Sequence, residues 1–355
     1  MKKDPICNMD VEEKTALSSE CDGIVYFFCS EGCRDKFLKE TACKFPRNSY
    51  DLIIIGGGPA GLTAAVYAAQ LKMDAFLITR DLGGQAIDST NIENYMGYDF
   101  ITGPELIEKF QYQLIHSHYM DHLINEVEKI EVVPDGFSVT TSDLNRYSSR
   151  VLIVGSGMTR RKLNVPGEEE FQRKGVFYGN IQDLSFVQGE DAAVVGGGNS
   201  ALQIVENLKM VAKNIHLISD GKLTADKVII DRINLCTNLH MYEGHKIVEL
   251  RGGKTVSSIT LRKMAGKEPH EIPVKGVFIA IGLTPNSHLV SDLVELNDKG
   301  EIVIDSDCST SCPGLFAAGD VTNAYGKRII IASGEGAKAA MAARRHILEL
   351  RKAIA

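Results

Sequence analysis

Asp51-Leu52-Ile53-Ile54-Ile55-Gly56-Gly57-Gly58-Pro59-Ala60-Gly61 is the stretch that decides the fold. Its first five residues read as a buried strand, and the three glycines that follow permit a tight turn. A helix is expected from Leu62 to Leu71, then a second strand at Ala75-Phe76-Leu77-Ile78. Gly-x-Gly-x-x-Gly on its own is a weak signal. Between a strand and a helix it becomes a dinucleotide fingerprint, because glycine lets backbone approach a pyrophosphate that the helix N-terminus faces.

The pattern returns 140 residues further on. Asp191-Ala192-Ala193-Val194-Val195 leads into Gly196-Gly197-Gly198-Asn199-Ser200-Ala201, then a helix and the strand Ile215 to Ile218. A third segment, Ser311-Cys312-Pro313-Gly314-Leu315-Phe316-Ala317-Ala318-Gly319-Asp320, is an apolar strand ending in Gly-Asp. Such an ending can place one carboxylate beside a ribityl or ribose hydroxyl. The expected class is α/β, with two Rossmann-like, three-layer dinucleotide-binding domains.

The remaining sequence narrows the function. The chain has 355 residues, 44% hydrophobic and 24% charged, the balance of an ordinary globular protein. Lys plus Arg number 39 against 46 Asp plus Glu, a net charge of −7 without a basic run, which argues against nucleic acid as partner. No apolar run approaches the ~20 residues of a membrane span, and the first twenty residues lack the apolar core of a secretory leader. A cytoplasmic enzyme without membrane partners is expected.

Five of the eight cysteines (Cys7, Cys21, Cys29, Cys33 and Cys43) fall in the first 43 residues. In a cytosolic protein such clustering reads as metal ligation or redox chemistry, although single free cysteines are common core residues. Residues 1–46 therefore form a small cysteine-rich α+β module. A strand is expected over Gly23 to Cys29, a short helix over Glu31 to Leu38, and a linker near Phe45 to Ser49. A module this small buries little apolar surface and needs a metal or a docking surface for stability.

From residue 50 to 355 the chain resembles the two-dinucleotide flavoproteins, in their thioredoxin-reductase-like branch. The stretches that carry the likeness are Gly83-Gly84-Gln85, Ile92-Glu93-Asn94-Tyr95, Leu163-Asn164-Val165-Pro166-Gly167-Glu168 and Ile329 to Ala337, and they are nearest to the flavoprotein subunits of alkyl hydroperoxide reductase. The resemblance implies FAD at the first fingerprint, held by Gly56, Gly58, Pro59, Ala60, Gly61, Gly84, Gln85, Asn94, Gly319, Asp320, Arg328 and Ile329. It implies a nicotinamide nucleotide at the second, on Gly196, Gly198, Asn199, Ser200 and Asp220. It further implies an FAD domain in two pieces, 50–157 and 285–355, around an NAD(P) domain at 158–284, and a homodimer.

Three features depart from that branch. Gly179-Asn180-Ile181-Gln182 stands where its redox-active Cys-x-x-Cys is expected, which leaves no dithiol there and gives the following Asp183 only a structural role. The paired arginines of NADPH-binding members are replaced by Ser219-Asp220-Gly221-Lys222, and a carboxylate at that strand end favours NADH over NADPH. The N-terminal module resembles the YHS domain, related to TRASH-type metal-binding modules, through Asp4-Pro5-Ile6-Cys7-Asn8-Met9 and Tyr26 to Cys33. Carried over, Cys7, Cys29 and Cys33 form a thiolate site for a soft or borderline ion such as Cu(I) or Zn(II), with Cys21, Cys43 or Met9 as candidate fourth ligands.

The expected activity is FAD-dependent NAD(P)H oxidation, passing electrons to an unknown acceptor or redox protein, with the N-terminal thiols receiving them or binding the acceptor. No catalytic side chain is assigned. A ferredoxin–NAD(P) reductase-like role and a metal-sensing protein on a flavoprotein scaffold are the alternatives. His116, His118 and His122 are expected together on one helix as surface residues, and Cys308 and Cys312 in packing.

Overall fold

The computed structural model describes the chain except residues 1, 13–15, 22–23, 41–46, 90, 116–119, 179–180, 265, 267 and 355, and except the side chains of 20, 21, 24, 38–40, 115, 181–183, 353 and 354. Two compact units emerge: Met1–Met158 with Pro285–Ala355, and Thr159–Thr284.

In the first unit, five parallel strands lie in the order Met120–Ile124, Ala75–Thr79, Ser49–Ile55, Arg146–Val154 and Leu315–Ala317. The first half of the long Arg146–Val154 strand also pairs antiparallel with Gly136–Thr141, which carries Val127–Val133 beyond it. Alternate residues of Ser49–Ile55 feed opposite layers. Leu52 and Ile54 pack under the helices, whereas Ile53 and Ile55 face the antiparallel hairpin. With both faces covered, the strand is apolar almost throughout, as a buried parallel strand must be.

Helix α1 (Glu31–Glu40) belongs to the N-terminal module, α2 (Pro59–Gln70) follows the first glycine turn, and α3 (Gly103–Ile115) lies beyond a loop. Helices α4 (Asn199–Leu208) and α5 (Lys227–Ile233) lie in the second unit, and the 26-residue α6 (Ile329–Ile354) returns to the first. Small residues allow α2 and α6 to approach closely: a Cβ on Gly336 would lie 2.1 Å from the Ala60 carbonyl oxygen.

The second unit has its own five-stranded parallel sheet, in the order Val176–Tyr178, Gly276–Ile279, Ala192–Val195, Ile215–Ser219 and Leu239–Glu243. A three-stranded antiparallel sheet, His245–Gly252, Val256–Lys263 and His270–Pro273, packs on one face, and α4 covers the other. In the N-terminal module Leu17–Cys21 pairs with Ile24–Phe28, and Tyr26, Phe28 and Phe37 form the buried core among the described residues.

Two expectations change. The predicted linker is ordered at its far end: Ser49 already belongs to a core strand, and the Ser148 N–H donates to the Asn48 carbonyl at 2.8 Å. The histidine helix does not extend to His122, which sits on the Met120–Ile124 strand opposite Leu77, while His116 and His118 lie outside the described residues. The spacing of three histidines suggested helical recurrence, but α3 ends at Ile115 and a parallel partner captures the apolar end of the segment.

Candidate functional site

The first glycine turn is shaped by what its glycines would otherwise strike. Gly56 has φ +106°, and a Cβ there would lie 2.3 Å from the Gly155 carbonyl oxygen at the end of the neighbouring strand. A Cβ on Gly61 would sit 1.7 Å from the Gly56 carbonyl oxygen, so only glycine lets α2 start this close to the strand. Gly58 is the opposite case. Nothing lies within 4 Å of its Cβ position, and its backbone is extended at φ −74°. The open face over Gly58, at the start of α2, is where a pyrophosphate can lie against backbone N–H groups. A Cβ on Gly84 would lie 3.2 Å from the Gly58 Cα, and Pro59 and Ala60 form the first residues of α2.

Asp320 follows the Leu315–Ala317 strand, beside the same turn: a Cβ on Gly319 would lie 2.8 Å from that of Ala60. Asp320 is half-buried, and among the described residues no donor bonds to its carboxylate. Burial raises its pKa, with Lys327 and Arg328 pulling the other way. A carboxylate withdrawn from water without a partner fits a ligand hydroxyl. Its support is Glu335 on α6, a buried carboxylate that accepts the Gly319 N–H at 2.7 Å and the Thr322 hydroxyl at 3.4 Å. Sequence reading missed Glu335, because an acid inside a small-residue helix gives no sign of the turn it holds.

The other residues assigned to FAD differ in their settings. Gln85 is half-buried in the 3-10 segment Gly84–Asp88 and donates its amide to the Met158 carbonyl. Asn94 is exposed in the loop before α3; Arg328 is exposed and donates to the Lys327 carbonyl at 3.1 Å. Ile329 begins α6 and packs against the core. A cavity of about 330 Å³ opens between α2, α3 and α6, and the glycines of the turn do not line it.

The second glycine turn repeats the plan more loosely. Gly196, at φ +136°, would place a Cβ 2.3 Å from the Ala280 carbonyl oxygen, and Gly198 is open, its nearest neighbour Thr224 Oγ1 at 3.9 Å. Where the first turn has Gly61 the second has Ala201, whose Cβ stands 3.1 Å from the Gly196 Cβ position. Asn199 at the start of α4 is clasped by Asp226: its amide donates to that carboxylate at 2.9 Å, and its side-chain oxygen accepts the Asp226 N–H at 2.8 Å. Ser200 and Asp220 are exposed, Asp220 just beyond the Ile215–Ser219 strand. The replaced Cys-x-x-Cys segment lies outside the described residues at 179 and 180, and the short helical segment Ile181–Val187 includes Asp183.

Three thiols converge in the N-terminal module. The Cys7 and Cys29 sulfurs are 3.4 Å apart, and those of Cys29 and Cys33 are 3.7 Å apart. One ligand atom from each, with one carboxylate oxygen of Asp4, all lie within 4.8 Å of one another, the spacing of a metal site. Sequence reading missed Asp4, and its bonds explain its place. Fully buried, it accepts the Ile6 N–H at 2.8 Å and the Cys7 N–H at 3.3 Å on one oxygen, and the Cys29 N–H at 2.7 Å on the other. Asp4 thus ties the two cysteine loops together. Cys33 lies in the first turn of α1. Cys43 lies outside the described residues, as does the Cys21 side chain; Met9 is exposed.

Charge around the thiols follows from this clasp. Burial pushes the Asp4 carboxyl up, but the N–H and thiol of Cys29, with the N–H groups of Ile6 and Cys7, outweigh it and hold its pKa at about 2. The Cys29 thiol, beside Asp4 and Cys7, is pushed up to about 12 and stays protonated at neutral pH. Thiolate ligation therefore releases protons. Because the folded pKa of Asp4 lies below the ordinary 3.8, its stabilisation is complete above pH 4 and is lost as pH falls towards 2. Asp4→Ala is expected to destabilise the module by about 3 kcal/mol, since it leaves three part-buried N–H groups without their acceptor. Hydrogen exchange of residues 2–40 in the full chain should register the difference above pH 4 and see it shrink towards pH 2; equal protection in both proteins at pH 7 would remove Asp4 from this role.

The fold and its turns define an α/β protein with two dinucleotide seats, each a glycine turn at the start of a helix. The chain belongs to the pyridine nucleotide-disulphide oxidoreductase family, whose model matches residues 50–345, and a YHS domain matches residues 2–42. It is 35% identical over 304 residues to the F component of the alkyl hydroperoxide reductase of Staphylococcus aureus, covering 85% of this chain and 60% of that protein. The same component of the Xanthomonas campestris pv. phaseoli reductase is 32% identical over 317 residues, covering 87% and 59%. The chain thus spans about 60% of the length of the curated relatives it matches. Among solved structures, the thioredoxin reductase of Lactococcus lactis is 34% identical with a TM-score of 0.66, covering 84% of this chain and 99% of that one. That of Streptococcus pyogenes is 34% identical at 0.69, covering 86% and 100%. Among the described residues no helix is long and apolar enough to cross a membrane.

Proposed function

We propose that this oxidoreductase binds FAD at the first glycine turn and oxidises NADH at the second, passing electrons to an acceptor without a dithiol relay between Tyr178 and Asp183. The observation that carries the reading is the first seat itself: the open face over Gly58 beside a half-buried Asp320 whose carboxylate has no hydrogen-bond donor among the described residues. FAD bound there supplies hydride acceptance and electron release. The chain's residues would bind and orient it: Gly58 and the α2 N-terminus would hold phosphate, Asp320 would accept a hydrogen bond from a cofactor hydroxyl, and Glu335 fixes the Gly319-Asp320 turn. The sequence has no cysteine between Cys43 and Cys236, which supports an exit other than the usual disulfide. The thiols Cys7, Cys29 and Cys33 are the proposed place where a soft or borderline ion, Cu(I) or Zn(II), binds and where the acceptor is reduced or docks. The proposed state is a homodimer.

Anaerobic titration with NADH and, separately, NADPH tests the hydride path. NADH is expected to bleach the flavin absorbance at one equivalent, with NADPH at least about tenfold less effective, the price of repulsion between a strand-end carboxylate and a 2′-phosphate. Bleaching by dithionite but by neither nucleotide would overturn the reading in favour of another donor.

A further inference from the structure

The nucleotide loop of the second unit has a second acidic wall. Residues 220–225 leave the Ile215–Ser219 strand and fold over the glycine turn: Thr224 N–H and Ala225 N–H both donate to the Gly197 carbonyl, at 2.8 and 3.1 Å. The Ser219 hydroxyl donates to the Gly221 carbonyl at 2.5 Å, which curls the loop back beside Asp220. The neighbouring strand ends at Glu243, in register with Ser219, and a Glu243 carboxylate oxygen accepts the Leu223 N–H at 3.3 Å. A β-strand residue paired with Ser219 stands beside the position at which this kind of fold receives the adenosine ribose. Two carboxylates from adjacent strand ends thereby flank one short loop.

The charges around that loop are unequal. Asp220 and Glu243 are exposed and free of ion pairs among the described residues. Asp226 is engaged with Asn199. Lys222 is the cation within the loop itself, and Lys227 begins α5. A ribose 2′-hydroxyl meets acceptors here, whereas a 2′-phosphate brings two negative charges up to two carboxylates opposed by one loop lysine.

The geometry points to Glu243 as a specificity-determining residue that, with Asp220, selects a nucleotide bearing a free 2′-hydroxyl and rejects one carrying a 2′-phosphate. The assignment rests on the NADH reading above. Sequence inspection could not reach it, because Glu243 lies 23 residues beyond Asp220 and only strand pairing brings the two ends together.

The test uses 5′-AMP and adenosine 2′,5′-bisphosphate as probes, titrated calorimetrically into the intact protein. Glu243→Gln keeps an oxygen to accept the Leu223 N–H and removes only the charge. It is expected to tighten the bisphosphate relative to AMP about fivefold at low salt, and this relative gain should shrink at high ionic strength as the charges are screened. Asp220→Asn should act in the same direction, and the double variant should add to it. Equal changes for both probes, or no change for the bisphosphate in a protein that binds AMP, overturns the role of Glu243 alone. If the wild-type protein binds neither AMP nor NADH, the nicotinamide reading falls and takes this assignment with it. Glu243→Ala serves as the control for a merely structural role: loss of AMP affinity there but not in Glu243→Gln isolates the hold on Leu223 from the effect of charge.

Discussion

Gly61→Ala is expected to yield a colourless, poorly stable protein. The added methyl would sit 1.7 Å from the Gly56 carbonyl oxygen, and neither partner can yield, because Gly56 is itself wedged against Gly155. Overpacking against backbone costs about 3 kcal/mol, which for a unit of this size lowers the melting temperature by roughly 6–12 °C. Moving α2 away also removes its N-terminus from the phosphate seat. Gly58→Ala is the informative partner. Its methyl enters open space on an extended backbone, so melting should stay within about 1–2 °C of wild type, as surface changes usually cost under 0.5 kcal/mol. Flavin should nevertheless be lost, since the methyl occupies the approach to the turn. The ratio of flavin to protein absorbance, read beside a thermal melt, separates the two. Full flavin content in Gly58→Ala would mean that the cofactor does not lie over this turn.

The second large effect is expected at Cys29. Its sulfur lies between those of Cys7 and Cys33, and its N–H is the one that Asp4 draws across from the other loop. Cys29→Ser should weaken binding of a soft cation by at least about a hundredfold, more than the loss of an outer-shell partner costs. It should also abolish reduction of the physiological acceptor while NADH still bleaches the flavin at the wild-type rate. The paired assay matters, because a general loss of structure would depress both. Unchanged turnover with intact flavin reduction would place the electron exit elsewhere, and unchanged cation affinity would dissolve the thiolate site.

Much of this architecture can be read along the chain because its determinants are local. Gly56, Gly58 and Gly61 act within one turn, and so do Gly196 and Gly198. The continuous apolar run of Leu52 to Ile55 reports a strand covered on both faces. What escapes the sequence is what tertiary proximity creates. Asp4 looks like part of an ordinary Asp-Pro turn until Cys29, 25 residues away, presents its N–H. Glu335 looks like one acid on a long helix until the Gly319 turn arrives beneath it. His122 fails for the converse reason: a spacing that fits a helix is overridden by the strand that pairs with it.

The two glycine turns differ in how much change they can absorb. At Gly56, Gly57 and Gly61 an added methyl meets backbone atoms within 2.3 Å, whereas in the second turn only Gly196 is so confined. A Cβ on Gly197 would meet the Ser219 hydroxyl, a side chain rather than backbone, at 3.0 Å, and position 201 already carries a methyl. One seat is therefore closed to mutational drift and the other open to it. On the proposed assignment, a cofactor that stays for the life of the protein would be held by the seat that tolerates no change, and a nucleotide that arrives and leaves with every turnover by the one where new preferences can be acquired without unfolding the chain.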